Sequence, residues 1–291
     1  MISFVGLGTA NFGQSYGFLQ NPNLSDQKYA KKEAFAILET AYREGIRFFD
    51  TSAHYGSSEL ILAEFLKMNG INDAYVVSKF KLESLEKDSA CSLKLFGDNL
   101  KCLLWHDPHM FPHIGEAISL ISSLKKTGLL LGASTYGWTG LNMFEGINEM
   151  DVFEIECNLL NPFVYQSAVQ NRFFSGKKFI LRSILQKGFL TEAGLNLQKV
   201  WHKNVVTDKL CQQTQQKIKE WKPSLPLKTE DYAINFVKNL IRKGDHVLIS
   251  ANSIDQLKLN FSAFQLNLPK INWDSFPRVM DEAFLDLRNW N

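Results

Sequence analysis

The chain has 291 residues, 45% of them hydrophobic and 21% charged, with 32 basic against 30 acidic side chains and a formal net charge of +2. This balance, with no dense Lys/Arg block, argues against a nucleic-acid or membrane-surface partner, and no apolar run approaches the roughly 18 residues of a membrane-spanning helix. The first residues lack the basic start and apolar stretch of a signal peptide, and Cys91, Cys102, Cys157 and Cys211 form no CxxC pair, so reduced thiols in a cytoplasmic protein are expected.

No Pro/Gly/Ser-rich or charge-biased linker divides the chain, so one domain over residues 1–291 is expected. Short apolar runs at residues 4–8, 46–50, 74–78, 101–106, 129–134, 152–158, 179–182 and 247–250 alternate with amphipathic stretches. Such alternation reads as βα units on a parallel sheet, an α/β fold, and eight strands are the number that closes a (β/α)8 TIM barrel. Residues 31–43 carry Ala34, Ile37, Leu38 and Ala41 at a spacing near 3.6 and stop at Gly45. Helices are likewise expected over 57–68, ending at Gly70, and over 116–126, ending at Gly128. The longest irregular segment, 190–208, follows the seventh strand and belongs at the barrel mouth. Residues 274–290 read as an extra C-terminal helix. The competing architecture is a doubly wound open sheet, but Gly6-Leu7-Gly8 is only a fragment of a GxGxxG fingerprint, with Asn11 at the third glycine.

Four residues fit for reductive chemistry stand at or just after strand ends: Asp50, Tyr55, Lys79 and His106. Successive C-terminal strand ends of one barrel point into one mouth. A tyrosine titrates near 10, and a neighbouring ammonium lowers that value. Lys79 supplies such a charge, Asp50 holds Lys79 in place, and His106 hydrogen-bonds a substrate carbonyl oxygen. Taken singly, each has a plainer reading, as a cap, a rim aromatic, a solvated lysine or a core histidine. His109 and His113 follow His106, but Pro108 and Pro112 break any helix that would align them, and no metal site is expected.

These residues lie in stretches that resemble the aldo-keto reductase family. The most specific is GIRFFDTSAHYGSSE over residues 45–59. Supporting it are GLGTA with Phe12-Gly13, Val77-Ser78-Lys79, Leu104-Trp105-His106, Gly132-Ala133-Ser134, the Asn158 to Pro162 run NLLNP, and Leu248-Ile249-Ser250-Ala251. The opening GLGTANFGQSYG and Leu181-Arg182-Ser183 look most like a bacterial branch associated with surface-polysaccharide sugar pathways. The resemblance implies a TIM barrel that binds NADPH without a Rossmann fold, with NADH as the alternative. It implies hydride transfer to an aldehyde or ketone, Tyr55 as proton donor, Lys79 and Asp50 as its tuning pair, and His106 as the carbonyl-orienting group.

For the cofactor, the resemblance implies contacts from Thr9 and Ala10, from Ser134, Thr135, Glu154 and Asn158 around the carboxamide, and from Arg182 on the nicotinamide ring. It also implies contacts from Ser250, Asn252, Ser253, Gln256 and Asn260 toward the adenosine end. Thr135 stands where the family has asparagine, and Glu154 where it has glutamine. A carboxylate accepts from a carboxamide nitrogen but cannot donate to its oxygen. Asn252 and Ser253 offer hydrogen bonds where the family commonly has a basic residue for the 2′-phosphate. Lys187 reads as a solvated loop lysine or a charge meeting an anionic substrate.

The expected function is NAD(P)H-dependent reduction of a small carbonyl or sugar-derived substrate, in a monomer or weak homo-oligomer. Tyr16, His54, Trp105, Tyr136, Trp138 and Arg182 are candidate lining residues of a polar, aromatic mouth. The alternative is a catalytically weak nicotinamide-binding regulatory subunit.

Overall fold

A computed structural model describes residues 4–13, 27–108, 114–197, 206–221, 225–279 and 281–290. Its strands are β1 (Val5–Gly8), β2 (Phe48–Asp50), β3 (Tyr75–Phe80), β4 (Leu100–His106), β5 (Leu130–Ser134), β6 (Val152–Glu156), β7 (Lys178–Arg182) and β8 (His246–Ile249). All pair in parallel in chain order, and β8 returns to β1 to close the barrel. The helices are α1 (Gln27–Arg43), α2 (Ser58–Met68), α3 (Leu85–Phe96), α4 (Ile114–Ile121), α5 (Gly137–Asn142) and α6 (Phe163–Gln170). Then follow α7 (Glu192–Leu195), α8 (Asp208–Trp221), α9 (Thr229–Leu240), α10 (Ile254–Gln265) and α11 (Glu282–Leu285).

Successive strand side chains point to opposite faces, so each strand feeds two cores. One face builds the layer between barrel and helices: Phe49, Val76, Leu103, Phe153, Leu181 and Val247 pack there against α-helical residues such as Ile61, Leu62, Phe144 and Leu257. The other face fills the barrel with Phe48, Val77, Cys102, Leu104, Val152, Ile180 and Leu248. Full burial of each such side chain contributes about 1.5–3 kcal/mol. At the N-terminal end of the barrel, Phe48, Tyr75 and His246 stack, with Phe48 and His246 centroids 4.1 Å apart.

The barrel matches the expected eight strands, with informative shifts. β3 runs on to Phe80, so Lys79 lies inside a strand. β6 stops at Glu156, leaving Asn158 on a loop. The expected helix over 116–126 is α for Ile114–Ile121 and then tightens to a 3-10 turn before Gly128, whose φ is +80°. In α2, Leu60 faces outward, 59% exposed, while Ile61, Leu62, Phe65 and Leu66 are buried. The tail is not one helix: only α11 is α-helical, between 3-10 turns at Trp273–Ser275 and Leu287–Asn289. It is held by tertiary packing: Phe284 and Trp290 sit edge to face at 4.7 Å, and both contact Phe189. No helix among the described residues is long and apolar enough to cross a membrane.

Candidate active site

Above the apolar interior layer, the inward-facing positions turn polar. Two residues beyond Phe48 is Asp50; beyond Val77 is Lys79, beyond Leu104 is His106, and beyond Val152 are Glu154 and then Glu156. Ile180 leads in the same way to Arg182 and Leu248 to Ser250. The register sets several side by side: His106 pairs with Ser134, Ser134 with Glu154, and Glu156 with Arg182. The period of two therefore gathers charged groups from four strands, with His106 from a fifth, into one layer at the C-terminal mouth.

Tyr55 comes from the turn after β2. Its N–H donates to the Ser52 carbonyl at 3.1 Å, and its carbonyl accepts from the Ser58 N–H at 2.9 Å. Two glycines make this turn possible. A Cβ on Gly13 would fall 1.8 Å from the Tyr55 carbonyl oxygen, and one on Gly56, at φ +53°, would fall 2.2 Å from the Gly13 oxygen. Backbone touches backbone there, which only glycine allows. Beneath the turn, the Thr9 hydroxyl donates to the Asp50 carbonyl oxygen at 2.8 Å, and Ser58 lies 2.7 Å from Thr9 and 3.0 Å from Thr51.

Lys79 is fully buried and is the hub. Its Nζ donates to Asp50 Oδ1 and Oδ2 at 2.7 and 2.6 Å and to the Thr51 carbonyl at 3.1 Å. It also lies 3.3 Å from Glu154 Oε2 and 5.0 Å from the centre of the Tyr55 ring. Burial works against its ammonium, but Asp50 and Glu154 hold it above the ordinary lysine value. Burial and the neighbouring Glu154 push the Asp50 carboxyl up against the pull of Lys79. Burial would also raise Glu154, but Lys79 and Arg182 together keep it below its usual range. Two carboxyls thus compete for one ammonium.

For Tyr55 the expected lowering does not occur. Burial raises the phenol well above its ordinary value, and Asp50, Glu154 and Tyr136 add to that against Lys79. A lysine so tightly paired with carboxylates has little field left for the phenol. The hydroxyl therefore stays protonated at neutral pH and is a donor rather than a base. His106 packs edge to face on Tyr55, with centroids 5.6 Å apart. Its Nδ1 lies 3.4 Å from Ser52 Oγ, and burial draws its imidazole down to about 4, leaving it neutral at pH 7.

The Glu154 carboxylate is thoroughly engaged. Glu154 accepts from Ser134 Oγ at 3.0 Å and lies 3.3 Å from Arg182 Nε. Arg182 also donates to the Thr135 carbonyl at 2.9 Å, approaches Glu156 at 3.8 Å, and lies over the Tyr136 ring at 4.1 Å. Asn158 is saturated within the protein: Nδ2 donates to Ser183 O and Gln186 Oε1, and Oδ1 accepts from the N–H groups of Leu160 and Asn161. That bonding makes Asn158 a brace for the loop after β7. Ala10 lies buried in the short turn after β1.

A cavity of about 260 Å³ opens between the loops after β7 and β8. Ser250, Asn252, Gln256 and Asn260 line it, joined by Asn11, Ser183, Lys187 and Glu230. Ser253 caps α10, accepting from the Gln256 N–H at 3.2 Å, and Gln256 Oε1 accepts from the Asn252 N–H at 2.8 Å. Asn11 donates to Asn252 Oδ1 and the Ala251 carbonyl, tying the end of β1 to this loop. Lys187 is not a solvated loop lysine: its ammonium donates to the Trp290 carbonyl.

Among the described residues, six buried side-chain polar atoms have no hydrogen-bond partner: Asn11 Oδ1, Asp107 Oδ1, Thr135 Oγ1, Glu154 Oε2, Glu156 Oε2 and Ser183 Oγ. Five belong to residues at or just beyond strand C-termini, and the sixth, Glu154, lies midway along β6. Buried polar atoms are ordinarily paired, so a cluster of them at one opening fits an extended polar ligand such as a nicotinamide dinucleotide.

Several expected lining residues lie elsewhere. Trp105 faces the barrel–helix layer, edge to face with Phe144, and Trp138 packs on Phe174. Tyr16, His109 and His113 lie outside the described residues. His54 is at the mouth, its Nε2 2.7 Å from Asp88 Oδ2, with its ring 6.4 Å from His106. The sequence reading missed Glu156, although the period of two from Glu154 points to it. It also missed Arg288, 5.2 Å from the Tyr136 ring, which no local pattern indicates.

Residues 5–280 match the model of the aldo/keto reductase family. The aldo-keto reductase str7 of Strobilurus tenacellus is 25% identical over 178 residues, 56% of this chain and 49% of that protein, so the match spans about half of its length. Among solved structures, the holo form of the aldo-keto reductase AKR11C1 from Bacillus halodurans aligns with a TM-score of 0.70 and 17% identity, over 92% of this chain and 88% of its own. The glycerol dehydrogenase AKR11B4 from Gluconobacter oxydans gives the same values. At these identities the structural likeness speaks for the fold.

Proposed function

Because this chain belongs to the aldo-keto reductase family, we propose that it reduces the carbonyl of a small polar, sugar-like substrate to an alcohol with a nicotinamide dinucleotide. The observation that carries the reading is the buried Lys79, bonded to both Asp50 oxygens and lying beneath the Tyr55 ring. The cofactor supplies the hydride. Tyr55 donates the proton to the carbonyl oxygen, and neutral His106 orients that oxygen by a hydrogen bond. Asp50 fixes Lys79, and Lys79 stabilises charge that develops on Tyr55 as its proton leaves. His54, Tyr136 and Arg182 make the opening polar and aromatic, which suits a hydroxylated substrate better than an apolar one.

Ser134, Thr135 and Arg182 stand at the hydride end, and Ser250, Asn252, Gln256 and Asn260 at the far cavity. Lys187 is the one basic residue among the described residues lining that cavity, and its ammonium is turned to the Trp290 carbonyl. Glu230 lines it as well. With no charged partner offered by the 250–253 loop, NADH binds at least as well as NADPH.

The test is turnover of 4-nitrobenzaldehyde with NADH and with NADPH, beside binding followed by tryptophan fluorescence. Tyr55→Phe is expected to lower kcat by at least about 10² with cofactor affinity nearly unchanged. Wild-type turnover in that variant removes Tyr55 from the mechanism. Cofactor binding without turnover of any aldehyde would favour the regulatory-subunit reading instead.

A further inference from the structure

The chain turns sharply at the first residue beyond β4. Asp107 has φ +54°, although Pro108 favours extended backbone in the residue before it. Non-glycine residues in this left-handed region are uncommon, and strained backbone of this kind concentrates at functional sites. The turn lays the Asp107 carboxylate beside the ring of its own neighbour: Oδ2 is 3.9 Å from His106 Nε2, too far for a hydrogen bond. Oδ1 is buried and has no hydrogen-bond partner among the described residues. The Asp107 side chain is 36% exposed where that of His106 is 13% exposed, so it reaches solvent beside the imidazole. Arg288 donates to both oxygens of Asp286 rather than to Asp107.

Both nitrogens of His106 thereby have a neighbour. Nδ1 faces Ser52 Oγ at 3.4 Å, so Nε2 is the nitrogen left for a substrate. A carboxylate beside Nε2 favours the tautomer with its proton on that nitrogen, the form that donates to a carbonyl oxygen. Burial lowers the imidazole most, and the next largest influence on it is Asp107, pulling the other way. A carbonyl oxygen that accepts from Tyr55 and from His106 Nε2 therefore lies next to the Asp107 carboxylate. A hydroxyl on the adjoining carbon sets its own oxygen beside the carbonyl oxygen, because one C–C bond joins the two carbons. Such a pair of oxygens bridges the 3.9 Å from Nε2 to Oδ2, the first accepting from Nε2 and the second donating to the carboxylate, each over about 2.7–3.0 Å.

We propose that Asp107 selects α-hydroxycarbonyl substrates, accepting a hydrogen bond from the hydroxyl next to the carbonyl that Tyr55 and His106 hold. This rests on the reductase function proposed above and narrows its substrate class. The carbonyl carbon takes the hydride of the nicotinamide and its oxygen takes the proton of Tyr55, so the product is a vicinal diol, and Asp107 neither gains nor loses a proton. An aldehyde with hydrogen in place of the hydroxyl leaves the carboxylate without its donor, and one with a carboxylate there meets like charge.

The test is steady-state reduction of three small aldehydes of similar size, glycolaldehyde, acetaldehyde and glyoxylate, beside 4-nitrobenzaldehyde, which has no α-hydroxyl. Each kcat/KM is taken against the free aldehyde, so that hydration in water does not enter. Wild-type protein is expected to favour glycolaldehyde over acetaldehyde by about tenfold to a hundredfold, the range for a hydrogen bond to a charged acceptor. Asp107→Asn keeps the left-handed turn and a neutral acceptor. It is expected to cut that preference about tenfold and to raise glyoxylate relative to acetaldehyde by about tenfold. Asp107→Gly, which suits φ +54° and carries no side chain, is expected to abolish the preference without loss of thermal stability. A role confined to shaping the loop would lower all three aldehydes alike. An absent preference in the wild type, or a glycolaldehyde-to-acetaldehyde ratio unmoved in either folded variant, overturns the proposal. Failure of the wild type to reduce any aldehyde, 4-nitrobenzaldehyde included, is a different result: it removes the reductase function, and the proposal with it.

Discussion

The two halves of the mouth are built on opposite principles. The floor, where Asp50, Lys79, Glu154 and Arg182 meet, is buried, charged and interlocked by contacts of 2.6–3.3 Å. The cavity between the β7 and β8 loops is lined mainly by neutral groups such as Ser250, Asn252, Gln256 and Asn260, held by amide–backbone bonds. Charge is concentrated where a reaction would redistribute it, and neutral hydrogen bonding is left where a ligand need only be held. Strong fixed charges stabilise a changing charge distribution at no reorganisation cost, whereas holding a dinucleotide requires shape and donors.

The contrast is tested hardest at Lys79. Lys79→Met strands two buried carboxyls without their ammonium and is expected to cost about 3–5 kcal/mol of stability, together with most of the activity. Denaturant unfolding reads this directly, and a loss below about 1 kcal/mol would mean that the floor relaxes around the missing charge. The cavity wall has its own support, because Trp290 caps Phe189 and donates from Nε1 to the Phe284 carbonyl. Trp290→Ala is expected to cost about 3–5 kcal/mol and to loosen the loop lining the cavity while leaving the floor intact. Equal loss of stability and of aldehyde turnover per bound cofactor would show that the two halves are not separable.

Leu259, 52% exposed at the cavity edge, sharpens the contrast from the other side. Leu259→Arg places a guanidinium beside the neutral wall without breaking an existing bond. Affinity for NADPH is expected to rise about fivefold to tenfold with NADH nearly unmoved, measured by fluorescence titration. An equal gain for both would mean that the charge is felt by the shared pyrophosphate.

The last effect lies in pH. Burial holds His106 and His246 down to about 4, against about 6.5 in an unfolded chain. As pH falls below 6.5 the unfolded chain binds protons that the folded one refuses, so stability is lost progressively down to about 4. His246→Phe, in the stack with Phe48 at the opposite end of the barrel, is expected to flatten the dependence of Tm on pH over that window without touching the mouth. An unchanged slope would assign the effect to His106 or to the carboxyls.

The sequence by itself determined the barrel, because alternation of apolar runs with 3.6-period stretches is a local property that eight closed strands satisfy together. It also made Asp50, Tyr55, Lys79 and His106 legible as a set, since Asp50, Lys79 and His106 close or follow apolar runs and Tyr55 comes five residues after Asp50. Gly13 and Gly56 could be read as motif residues, but not as the backbone contact that shapes the Tyr55 turn. What only the tertiary structure decided is which charges meet. Glu154 reaches Lys79, from three strands earlier, because the barrel closes and both side chains point to its axis. The same closure buries Tyr55 among carboxyls, so that desolvation outweighs the lysine and reverses the pKa shift that the residue types alone suggest. The tail was misread for the same reason. Residues 281–290 have little local helical order, and take their path from Phe189, Gln186 and Lys187, roughly a hundred residues away in the chain and adjacent only once the barrel has formed.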